Sequence, residues 1–196
     1  MQKFGISIVA FLCLMLASTA QSQGIPANVN LRYSAQLSNG NPGVCGCFTL
    51  QGVAGDIYVG FGHSKKKSHA GVGLVADFGY EHTANVNGVG YGLSMTTMAA
   101  GPRFVLPRVK RLQPFVQALG GYAHGFSSAF PQGNTLVPTA SSYAVDGGGG
   151  ADVALNKHVS LRILQVDFMR TALPNNTTDW QNNLRMAAGL TFNFGQ

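Results

Sequence analysis

Two stretches of this chain, one near each end, alternate without a break between apolar and polar or small positions. Over residues 183–194, Leu184, Met186, Ala188, Leu190, Phe192 and Phe194 share one parity, and Arg185, Ala187, Gly189, Thr191 and Asn193 share the other. Over residues 29–38, Val29, Leu31, Tyr33, Ala35 and Leu37 alternate with Asn30, Arg32, Ser34, Gln36 and Ser38. Successive side chains of a strand point to opposite faces, so each stretch is a strand with one oily face. A tilted strand crosses a bilayer in about 9 to 11 residues, which makes each stretch one full crossing.

Six more strands are expected between them, at 48–62, 70–82, 91–106, 114–126, 143–155 and 159–171. In the third strand Leu74, Ala76, Phe78 and Tyr80 oppose Gly73, Asp77, Gly79 and Glu81. In the sixth, Tyr143, Val145, Gly147, Gly149, Ala151 and Val153 oppose Asp146, Gly148, Gly150 and Asp152. Parity breaks between Gln117 and His124, across Gly120-Gly121, and again between Arg162 and Asp167. If both polar residues of a pair point inward, each strand carries a bulge there. The pattern predicts an all-β fold: an eight-stranded antiparallel up-and-down transmembrane β-barrel, its first and last strands paired so that no edge stays open.

The connections support an up-and-down order. Those at 63–69 (Lys65, Lys66, Lys67), 107–113 (Arg108, Lys110, Arg111) and 156–158 (Lys157) are basic, whereas those at 39–47, 83–90, 127–142 and 172–182 contain no Lys or Arg. Strict alternation gathers every basic connection at one end, together with both termini. That end is expected to be periplasmic, with the longer neutral loops outside.

Composition narrows the class. Charged residues are 10% of the chain and glycines number 26, against about 25% charged in ordinary soluble domains. Beyond the N-terminal segment no apolar run reaches the length a spanning helix needs. A soluble lipocalin-like barrel would reverse the faces, and seven acids are too few to wet its exterior. The N-terminus reads as a secretory signal, with Lys3, an apolar core at 6–16 and the small residues Ser18-Thr19-Ala20. The expected organisation is a signal at 1–20 (possibly to 22), a short periplasmic lead at 21–27 and an outer-membrane barrel domain at 28–196.

The candidate chemistry lies in the lumen. Six of the seven acids, Asp56, Asp77, Glu81, Asp146, Asp152 and Asp167, fall on strands, as do Arg32, Arg103, Arg162 and Arg185; Gln117 shares their face. Side chains just fill an eight-stranded barrel, and buried charges must pair, so a structural plug is the leading reading. A conducting pore or a proton-responsive site remains the alternative. Cys45 and Cys47 leave open a local disulfide near the loop rim, which is favoured, an intermolecular bridge, or a metal or redox site. Two cysteines are too few for zinc. His124 and Ser127 suggest a hydrolase, yet three residues apart they diverge in a regular strand, and no third group orients the histidine. No catalytic residue, cofactor or metal is therefore expected. The basic turns suit anionic lipid headgroups rather than nucleic acid. Tyr58, Phe61, Tyr80, Phe104, Phe115, Phe168, Trp180 and Phe192 are read as interfacial girdles. The run at 147–150 is read as glycine for close wall packing rather than a phosphate cradle, since no helix or Lys follows it.

Several runs carry a resemblance: Cys45-Gly46-Cys47-Phe48, Asn85-Val86-Asn87-Gly88, 114–121 (PFVQALGG), 147–150, Gln165-Val166-Asp167-Phe168 and Gln181-Asn182-Asn183-Leu184-Arg185. Across nearly the whole mature chain it resembles small OmpA/OmpX-type outer-membrane β-barrel domains, and within them a group known from acidobacterial genomes. The resemblance implies an outer-membrane location and the eight-stranded fold, but no established activity. The peptidoglycan-binding domain of longer OmpA proteins has no counterpart in these residues, so cell-wall anchoring is not implied. The expected partners are outer-membrane lipid, the barrel-assembly machinery acting on the last strand, and an unidentified extracellular ligand. The expected role is that of a monomer with a structural or surface-interaction function. A small porin-like channel is the alternative, and a lipid-modifying enzyme comes third.

Overall fold

The computed structural model describes residues 26–39, 47–61, 70–86, 90–175 and 179–194. They form eight strands: β1 (Ala27–Asn39), β2 (Cys47–Phe61), β3 (Gly71–Thr83), β4 (Leu93–Val105), β5 (Leu112–Gln132), β6 (Thr135–Ala154), β7 (Val159–Thr171) and β8 (Gln181–Phe194). Each pairs antiparallel with its neighbours in chain order, and the sheet closes as a barrel. Closure runs from Ala27 opposite Phe194 to Ser38 opposite Asn183, so the two most regularly alternating strands seal the wall. Both strand termini meet at one end, here the terminal end; the other is the loop end. The N-terminal segment, Cys45 and Lys65 to Lys67 lie outside the described residues.

The faces are inverted relative to a water-soluble barrel. Leu31 is 62% exposed while its neighbour Arg32 is 3% exposed. Leu74, Phe78, Val145, Phe168, Leu184 and Leu190 also point outward, whereas Asp56, Asp77, Glu81, Asp167 and Arg185 are buried. Hydrocarbon on the outside and ionised groups within is the arrangement that lipid imposes and water penalises.

The fifth and sixth strands depart from expectation. Residues 127–142, read from sequence as a loop, form a hairpin that continues β5 to Gln132 and starts β6 at Thr135. Gly133 supplies the positive φ of 60° needed at the first position of a two-residue turn. Below it, Ser127 adopts a φ of 56° and the register slips between Phe126 and Phe130. That slip turns Phe130 inward, over Gly125, where an added Cβ would lie 2.5 Å from the ring. Pairing to the flanking strands ends at Ser94 opposite Phe126 and Ala144 opposite Thr171. Pro131 and Pro138 therefore stand beyond the closed wall, where a missing N–H forfeits no ladder bond to a flanking strand.

The bulge expected between Arg162 and Asp167 is present: the β7 register slips between Arg162 and Gln165. Ile163 and Leu164 both face outward as a result, and Arg162, Gln165 and Asp167 all face inward. No slip occurs at Gly120-Gly121. His124 points outward there, so the condition for a bulge is not met.

Candidate functional site

Alternation on eight strands brings every lumen residue singled out from the sequence into one lattice of hydrogen bonds and ion pairs. Asp56 on β2 lies at one centre: it accepts from Arg162 Nη1 at 2.6 Å, Arg32 Nη1 at 2.7 Å and Arg103 Nη1 at 2.9 Å. Arg162 also grips Asp152 through Nε (2.8 Å) and Nη2 (3.1 Å). Arg103 donates from Nε and Nη2 to Gln117 Oε1, at 2.9 and 2.7 Å. The Arg103 and Arg162 guanidiniums both stand over the Phe115 ring, 4.5 and 4.6 Å from its centroid. A ring face so placed offers two buried cations a favourable quadrupole.

Arg185 on β8 is the second centre. Its Nη2 reaches Asp146 at 3.0 Å, Asp77 at 3.1 Å and Asp167 at 3.3 Å, and Nη1 stands 3.9 Å from Glu81. Arg32 links the two centres by pairing with Asp77 as well as Asp56. Gln117 Nε2 donates to Asp167 at 3.2 Å, and Ser34 Oγ donates to Glu81 at 3.0 Å. Glycines make room for these groups: a Cβ at Gly148 would fall 2.3 Å from Asp167 Oδ1 and from the Val166 carbonyl. The glycine run thus packs the wall closely from 148 to 150, while Gly147 has open space.

The sequence reading missed three components. Gln165 and Asn30 belong to the lattice: Gln165 accepts from Arg162 and donates to Asp167 Oδ2 at 2.7 Å, and Asn30 accepts from Arg32. Tyr58 and Phe115, assigned to the girdle, point into the lumen instead, 5% and 4% exposed. Toward the loop end the lumen holds an apolar cluster of Leu50, Leu93, Met95, Ala123, Phe130, Ala144, Met169 and Leu173, with Gln36, Ser38, Thr171 and Asn183 buried at the same level. Val86, Val137 and Ala140 pack on it from the loops and the hairpin. An ionic lattice and, toward the loop end, a hydrocarbon cluster beside buried neutral polar groups therefore occupy the interior.

Other candidates separate. His124 Nδ1 lies 2.7 Å from Ser141 Oγ on the outer wall, so the histidine is paired across to β6 rather than to Ser127. Cys47 opens β2 at an exposed position; with Cys45 outside the described residues, the disulfide reading cannot be placed. At the loop end Trp180 packs edge-on against Tyr143, and Arg170 stacks over it at 4.1 Å.

An apolar exterior, a polar and charged interior and complete closure define an eight-stranded transmembrane β-barrel. No family model and no curated protein matches the sequence. Solved structures do match in fold. Neisserial surface protein A is similar at TM-score 0.58 and 11% identity, covering 88% of this chain and 98% of that one. Ail, the attachment invasion locus protein of Yersinia pestis, solved with the heparin analogue sucrose octasulfate, matches at TM-score 0.56 and 13% identity, covering 87% and 99%. The outer-membrane protein OprG of Pseudomonas aeruginosa matches at TM-score 0.50 and 10% identity, covering 87% and 96%.

Proposed function

We propose that this chain is a monomeric bacterial outer-membrane barrel of the acidobacterial OmpA/OmpX-like group, with both termini periplasmic. Its role on this reading is structural or surface-interacting, with the lumen serving as a brace rather than a passage. The observation that carries it is the occupied interior: a buried ion-pair lattice with an apolar cluster beside it toward the loop end. A rigid wall of this kind is the usual support for binding loops, so an extracellular partner would meet the neutral loop end and the protruding β5–β6 hairpin. The described charges there are Arg170 and Asp179, a poor complement to a sulfated ligand such as the one seen with Ail. A polar, uncharged partner surface fits better. The outward pairing of His124 with Ser141 adds no group to orient the histidine, so the reading is non-catalytic.

Planar-bilayer recording tests the claim. The folded protein should give no steady unitary conductance, and reproducible single-channel steps would overturn the closed lumen in favour of the porin-like alternative. Unchanged lipid A mass after co-expression is the matching expectation for the absence of enzyme activity.

A further inference from the structure

The charges outside the lumen are distributed unevenly between the two ends. At the terminal end the β4–β5 turn carries Arg108, Lys110 and Arg111, and the adjoining β6–β7 turn carries Lys157 and His158. Of the seven acids, six line the lumen and Asp179 stands at the loop end. The described part of the terminal rim is therefore uniformly cationic.

These turns are built rather than frayed. Val109 and Leu112 exchange backbone hydrogen bonds at 2.9 and 3.0 Å, closing a tight turn around Lys110, whose φ is 56°. The Arg111 carbonyl accepts from Ala154 N at 2.9 Å, which ties the first turn to the strand leading into the second. Asn156 Oδ1 accepts from the N–H groups of His158 and Val159, both at 2.8 Å, and the His158 carbonyl accepts from Asn193 N at 2.7 Å. Exposed hydrocarbon is interleaved with the cations: Val109 at the turn tip is 63% exposed and Leu155 55%, with Leu106 close by in sequence.

We infer that this rim is a binding ledge for the headgroups of anionic phospholipids in the leaflet at the terminal end. A soluble polyanion would satisfy the cations but leave Val109, Leu106 and Leu155 in water. A phospholipid presents a phosphate directly above hydrocarbon, and so matches both halves of the pattern. The ledge also fixes how deep the barrel sits, since charges spaced along one rim resist being drawn into the apolar core. The inference rests on the transmembrane reading and adds a lipid class and a leaflet to it.

The test uses the full chain refolded into phosphatidylcholine vesicles that contain a minority of phosphatidylglycerol, with spin-labelled lipids of each class reporting the immobilised boundary shell. The wild-type barrel should enrich phosphatidylglycerol, less so at high salt. The variant Arg108→Gln/Lys110→Asn/Arg111→Gln/Lys157→Gln should lose about fivefold or more of that selectivity, the effect of roughly one cation at an anionic surface. Asparagine at position 110 tolerates the left-handed backbone. The double variant Lys110→Asn/Lys157→Gln should fall between, which keeps the test open if the quadruple variant fails to fold. Arg170→Gln, at the other end, should change nothing. Equal uptake of both lipids by the wild type, or selectivity that survives the neutralised rim or follows Arg170, would overturn the ledge. Failure to insert, seen as a gel band whose migration does not depend on heating, would instead strike the transmembrane reading itself.

Discussion

Asp56 is the most informative single position, because three arginines from three different strands converge on one buried carboxylate at 2.6 to 2.9 Å. Asp56→Asn keeps the volume but removes the charge and turns one acceptor into a donor facing cations. Each arginine retains another partner: Arg32 keeps Asp77, Arg103 keeps Gln117, and Arg162 keeps Asp152. The cost should therefore approach that of one broken buried pair, about 3–5 kcal/mol, rather than three times that figure. Arg103→Met alone should cost a similar amount. Together the two changes remove one charge of each sign from the same contact, so the double variant should be less destabilised than the sum by about 1–3 kcal/mol. Urea-dependent folding into lipid vesicles, followed by the fluorescence of the single tryptophan, Trp180, measures all four corners of this cycle. Additivity within about 0.5 kcal/mol, or a cost for Asp56→Asn below about 1 kcal/mol as at a solvated surface pair, would refute the view that the lattice is a dry, coupled brace.

Three further outcomes follow from the geometry. Gly148→Ala should destabilise by about 1–3 kcal/mol, because its Cβ would press on Asp167 and the Val166 carbonyl, while Gly147→Ala should stay within about 0.5 kcal/mol; the same urea titration separates them. Phe130→Ala should cost about 3 kcal/mol as a large-to-small change in the apolar layer, and the variant should still fail to conduct in a planar bilayer because the ionic lattice below it is intact. Val53→Arg, outward near the middle of β2, should cost about 2–4 kcal/mol, against about 0–1 kcal/mol for Phe61→Arg near the end of the strand, as read from folding equilibria in vesicles.

The wall was legible in the letters because lipid on one side and a charged lumen on the other force a period of two on every strand. Where that contrast ends, so does legibility. Beyond Phe126 both faces of the β5–β6 hairpin leave the closed wall, alternation carries no information, and Pro131 and Pro138 read as loop. The usable signal was the Gly133-Asn134 pair, a recognised two-residue turn sequence. Inside the barrel, residue identity misled where parity did not. Tyr58 shares the parity of Asp56, and Phe115 that of Gln117, so parity placed both inward although their aromatic identity had put them in the girdle. Leu50, Met95 and Met169 were likewise on the parity of Asp56, Arg103 and Asp167. Equating apolar with outward hid the hydrocarbon layer.

Backbone ladders alone would hold each strand only to its two neighbours, leaving the cross-section of the barrel free to flatten. The lattice supplies the missing dimension. Asp56 on β2 is tied to β1, β4 and β7, and Arg185 on β8 is tied to β3, β6 and β7. Gln117 brings in β5 through Arg103 and Asp167. All eight strands are thus joined across the lumen as well as around it. A channel needs this space empty and its wall charges solvated, whereas these side chains pair with one another across it. On the proposed reading the same cross-links hold the separation of the strand ends from which the loops spring, which is what a lumen given over to bracing would gain.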